Sequence, residues 1–67
     1  MNFNGEELML MMLYNTGTRL GLMQELRLMQ CYLMPDETAL RELSEGVIEK
    51  LKLMTDAEFV ELEFPLD

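Results

Sequence analysis

Apolar residues recur along this chain at helical spacing, in blocks separated by turn-forming and capping residues. Asn4 followed three residues later by Glu7 has the form of a capping box and predicts a first helix running to about Tyr14. Leu8 to Leu13 is unbroken apolar sequence, so this helix is oily on all sides. Such a helix is expected to be central and buried, or covered by a partner. Asn15-Thr16-Gly17 breaks the pattern, and Asn15 or Gly17 can end the helix in a left-handed conformation. Thr18 is the expected N-cap of a second helix, in which Leu22, Met23, Leu26, Met29 and Leu33 follow a period of 3.6. Leu20, Leu28, Cys31 and Tyr32 widen that stripe. The helix is expected to stop at Met34-Pro35, because the residue before proline is pushed out of the helical region.

Asp36 is the expected cap of a third helix, with Glu37 as an acid in its first turn and an i,i+4 partner for Arg41. Leu40, Leu43, Val47, Leu51 and Met54 form its apolar face, with Ile48 alongside. Lys50 and Lys52 lie where the helix dipole favours cations. Gly46 sits mid-helix at a propensity cost of about 1 kcal/mol and marks a close helix crossing. Thr55-Asp56-Ala57-Glu58 is a second capping box and predicts a short fourth helix to about Leu62. Phe59 and Leu62, joined by Phe64, are expected to fold back on the other helices, and Pro65 ends the element. No stretch alternates over a strand length. The expected fold class is all-α: a compact bundle of three main helices plus a short C-terminal helix, forming a single helical domain over residues 1–67.

Composition sharpens this picture. With 49% hydrophobic residues the chain can build a core despite its net charge of −8, which argues against disorder. The longest apolar run is far short of the ~20 residues that cross a bilayer. Glu6 and Glu7 stand where a signal peptide would carry bases. Cys31 is the only cysteine, so no internal disulfide can form. The expected location is the cytoplasm. Residues 55–67 hold Asp56, Glu58, Glu61, Glu63 and Asp67 with no base, a concentration that repels nucleic acid and anionic membrane.

Available chemistry is sparse. The chain has no histidine, which removes the commonest general base and metal ligand. One cysteine cannot build a zinc site. Glu42, Glu45 and Glu49 share one side of the third helix without the loop of a calcium site, and read as a solvated face. Cys31, between Gln30 and Tyr32, reads as a small packing residue. No cofactor, metal or catalytic residue is expected, and the chain is not expected to be an enzyme. The eight methionines suit an irregular core, or in part a partner groove. A helix-turn-helix reading of the second and third helices fails on charge, since its recognition helix would open with Asp36 and Glu37.

The segment Tyr14-Asn15-Thr16-Gly17-Thr18-Arg19 is the most distinctive. A C-cap, a turn and an N-cap account for Asn15, Gly17 and Thr18. Tyr14 and Arg19 are residue types enriched at binding hot spots, and Arg19 is poorly placed for its own helix dipole. Tyr14, Asn15, Thr16, Arg19 and Tyr32 are therefore the candidate interaction surface.

Taken in order, several of these pieces resemble one family. They are Tyr14-Asn15-Thr16-Gly17, Arg19, Gly21-Leu22, Leu26, Met29, Tyr32-Leu33, Pro35-Asp36-Glu37, Leu40, Leu43, Lys50-Leu51 and Met54-Thr55-Asp56-Ala57-Glu58-Phe59. Together they resemble the transposon-transfer assisting protein family, from about Asn4 to Leu62. The resemblance implies a small helical protein carried on conjugative transposons of Gram-positive gut bacteria, with a role in assisting transfer. It carries over no catalytic residues. The resulting expectation is a non-enzymatic accessory that binds a protein of the transfer or DNA-processing machinery, without binding nucleic acid directly or inserting in a membrane. The alternative is an acidic decoy that occupies a DNA-binding restriction or regulatory protein, motivated by the charge of −8.

Overall fold

The computed structural model describes residues 3–62 and places four helices in them: α1 (Gly5–Tyr14), α2 (Arg19–Cys31), α3 (Thr38–Leu53) and α4 (Asp56–Val60). Among the described residues there is no strand, and the fold is all-α. Phe64 and Pro65, expected to fold back and to end the last helix, lie outside the described residues.

Three of the four helix starts are local chemical events. Asn4 Oδ1 accepts from the Glu7 N–H at 2.8 Å, and Glu7 Oε1 accepts from the Asn4 N–H at 2.9 Å, closing the first capping box. Thr18 Oγ1 accepts from the Gly21 N–H at 3.0 Å and starts α2. Thr55 and Glu58 exchange the same pair of bonds as Asn4 and Glu7, at 3.1 and 2.8 Å, and start α4. At the α1–α2 break the left-handed residue is Gly17, with φ of +100°. Asn15 is extended, and its side chain accepts from the Gly17 N–H at 2.8 Å.

Two boundaries differ from expectation. α2 ends at Cys31 rather than at Met34. Its last bonds tighten to i→i−3, with the Tyr32 N–H donating to Met29 O at 3.0 Å and Leu33 to Gln30 O at 3.3 Å. The chain has thus left the helix before the proline restriction applies. Asp36 does not cap α3. It is held in a turn closed by the Glu37 N–H on Met34 O at 3.0 Å, and Glu37 takes the N-cap position without a side-chain cap bond. The Glu37 carboxylate reaches back instead to the Met34 N–H at 3.0 Å, and makes no ion pair with Arg41.

The core is Leu10 and Met11 of α1, Leu22, Met23 and Leu26 of α2, Val47, Ile48 and Leu51 of α3, then Met54 and Phe59. Leu40, Leu43, Met29, Leu8, Tyr14 and Leu62 pack against it, half-buried. Burying a side chain of this size stabilises by roughly 1.5–3 kcal/mol. Of the two arrangements expected for an all-round apolar helix, α1 does not take the central, fully buried one. It buries Glu7, Leu10 and Met11 and leaves Met9, Met12 and Leu13, spaced three and four apart, on its outer face. Leu20, Leu28, Cys31 and Tyr32 are exposed as well, so they do not widen the α2 core stripe. The physical reason is geometric: in a three-helix arrangement each helix has neighbours on one side only, so a wide apolar arc outruns the contact surface. Cys31, expected to pack, is exposed, with its Sγ donating to Arg27 O at 3.5 Å.

Candidate functional site

Polar contacts between the helices fix where the surface residues stand. The Glu7 carboxylate is buried between α1 and α3, where Lys50 Nζ donates to Oε1 at 2.7 Å and itself lies 5.4 Å from the Phe3 ring centre. Burial pushes this carboxyl's pKa up. The Lys50 hydrogen bond, the Asn4 N–H and the Lys50 charge outweigh burial and hold it below its ordinary value. Gly46 of α3 lies over the same group: a Cβ there would stand 3.4 Å from Glu7 Oε2. The close crossing expected at Gly46 is thus an approach to a carboxylate rather than to a backbone. Between α2 and α3, Gln30 Nε2 donates to the buried Ser44 Oγ at 2.8 Å, and Ser44 donates to Arg41 O at 2.9 Å.

The five candidate surface residues fall into two groups. Tyr14, at the end of α1, and Tyr32, just past α2, line one shallow groove of about 300 Å³ with Glu25, Leu28 and Met29. Tyr14 is half-buried against the core, whereas Tyr32 and Leu28 are 77% and 53% exposed. Glu25 is half-buried and forms no ion pair among the described residues.

Arg19 belongs elsewhere. Its Nε donates to Asp56 Oδ1 at 2.8 Å and its Nη1 to Leu51 O at 2.9 Å, with Met23 Sδ at 3.9 Å. An arginine at the wrong end of its own helix therefore donates to one C-terminal carbonyl of α3 and to an acid in the first turn of α4. It lines a second recess of about 380 Å³ with Leu20, Asp56, Phe59 and Val60. Asn15 and Thr16 are exposed between the two groups. Thr16 covers Gly21, where an added Cβ would collide with Thr16 Oγ1 and stand 2.7 Å from Thr18 Oγ1.

Three features escape the sequence pattern. The pattern marks Glu7 as a capping acid and singles out neither Ser44 nor Glu25. Nothing in the spacing joins Glu7 to Lys50, since their pair forms only through the packing of α1 on α3.

Among the described residues no group of three or more carboxylate or thiol side chains is placed to hold a metal ion, and no helix is long and apolar enough to cross a membrane. The glutamates at 42, 45 and 49 are all exposed. No curated protein and no solved structure matches the chain. The family comparison does give a match, over residues 3–65 and so across all four helices, both capping boxes and the groove. The chain belongs to the family described as "Putative transposon-transfer assisting protein".

Proposed function

We propose that this chain is a non-enzymatic accessory of conjugative transfer, acting in the cytoplasm by binding a protein of the transfer or DNA-processing machinery. The observation that carries this reading is the groove that brings Tyr14 and Tyr32 together across eighteen residues of sequence, with Leu28 and Met29 between them. Apolar surface left open on a small domain costs free energy in water, and tyrosine offers large contact area with few rotatable bonds. Exposed Met9, Met12 and Leu13 on α1 add flexible apolar surface of the kind that adapts to a partner. Of the candidate surface, Tyr14 and Tyr32 make the contact. Asn15 and Thr16 form the adjoining rim, and Arg19 holds the junction in shape.

The test is transfer frequency from donor cells carrying Tyr14→Ala or Tyr32→Ala in place of the wild-type chain. Each variant is expected to lower transfer at least tenfold. Tyr32→Ala, at a 77% exposed position, should leave the helical circular dichroism and the melting temperature unchanged. Wild-type transfer with both folded variants overturns the reading.

A further inference from the structure

The groove between Tyr14 and Tyr32 has an unusual lining for an exposed site: two tyrosines, a leucine, a methionine and a single charge, that of the half-buried residue Glu25. We propose that it receives a basic segment of a partner protein, an arginine or lysine flanked by apolar residues, with the cation against Glu25 and the tyrosine rings. This deepens the interaction reading above and rests on it.

The argument is one of charge complementarity. A carboxylate in an otherwise apolar and aromatic groove, without an ion pair among the described residues, gains from a cation brought to it by a ligand. Tyrosine faces attract the same cation, and a guanidinium adds planar stacking. Leu28 and Met29 suit the aliphatic stem of such a side chain and an apolar neighbour. Among the described residues no base of the chain pairs with Glu25, and three of its five bases, Arg19, Lys50 and Lys52, are paired with Asp56, Glu7 and Glu49. A second copy would bring a charge of −8 towards another −8, and phosphate of nucleic acid or lipid would meet Glu25 as a like charge. A basic protein segment is the occupant that satisfies every wall of the groove.

The experiment places a photo-crosslinking benzoylphenylalanine at Leu28 in the full chain, with Glu45 on the solvated face of α3 as control, in donor cells. The expected product joins position 28, and not 45, to a protein segment with an arginine or lysine within about four residues of the attachment. Its yield should fall at least fivefold with Glu25→Gln. A product with the chain's own second copy, with an acidic segment, with lipid or with nucleic acid overturns the proposal. So does a yield indifferent to Glu25→Gln, or no product at position 28. Transfer frequency separates the two levels of the argument. If Tyr14→Ala and Tyr32→Ala lower transfer while Glu25→Gln and Glu25→Lys do not, the interaction surface stands and the basic partner falls. If none of the four lowers it, both fall.

Discussion

Burial and charge pull the Glu7 carboxyl in opposite directions, and the outcome sets a pH dependence. Its folded pKa lies below the ordinary value of 4.5, so the folded state binds this proton more weakly than the unfolded chain. The stabilisation is complete above about pH 5 and is lost as the pH falls through 4.5 towards the native value. Glu7→Gln keeps an acceptor for the Asn4 N–H but removes the charge facing Lys50. Breaking a fully buried pair costs about 3–5 kcal/mol. Lys50 keeps 33% of its side chain exposed, so water offsets part of this loss. The expected cost at pH 7 is about 1–2 kcal/mol. Urea unfolding at pH 7, 5 and 3.5 checks both points, with the variant losing less stability than the wild type between pH 5 and 3.5. Parallel losses in the two proteins would show that Glu7 is not the group being titrated. Arg19 and Asp56 contrast with this pair. Asp56 is 76% exposed, so their contact adds little in water, and the Arg19 bond to Leu51 O contributes more to holding α2 against α3.

At the scale of the element, the α1–α2 junction turns on Gly21. Alanine at a helical glycine normally gains about 1 kcal/mol. Here the new methyl would meet Thr16 Oγ1 and Thr18 Oγ1, and Thr18 is already committed to capping α2. Gly21→Ala is therefore expected to lower stability by about 1–2 kcal/mol, as overpacking does, and to cost less in a Thr16→Ala background. Thermal melts of the four proteins in that cycle give the coupling. Additive effects would mean that Thr16 does not press on the glycine. This junction also shows what the sequence makes legible. Asn4 with Glu7, Thr18, and Thr55 with Glu58 are short-range signals, because a cap and its N–H partner lie three residues apart; all three helix starts are found where those residues stand. The start of α3 is missed because Asp36 and Glu37 compete for the same role, and the turn at Met34–Glu37 decides between them. The exposure of Leu20, Leu28 and Tyr32 is missed for another reason. Periodicity gives the width of an apolar arc, whereas the number of neighbouring helices decides how much of it is covered. The groove combines both cases: Tyr14 and Tyr32 stand out as residue types, but their meeting with Glu25 depends on how α1 packs beside α2.

For the whole molecule, the question is what a net charge of −8 does. A decoy for a DNA-binding protein needs carboxylates spread like phosphates over one continuous face, and it loses affinity steeply as salt rises. In this fold several acids serve the structure. Glu7 is buried, and Glu58 closes the α4 capping box. Glu61 is exposed at the end of α4, and Glu42, Glu45 and Glu49 occupy the outer side of α3. On the interaction reading proposed above, this charge repels nucleic acid, and contact falls to the tyrosine groove. The two readings differ in an experiment that leaves the fold intact. Glutamine retains the side-chain acceptor that closes a capping box. A Glu58→Gln, Glu61→Gln, Glu63→Gln chain should therefore fold with α4 in place and support transfer within about twofold of wild type. A decoy would lose its occupancy of the DNA-binding protein, and transfer would fall with it. A folded triple variant that fails in transfer while Glu25→Gln succeeds would move the working surface from the groove to the acidic end of the chain.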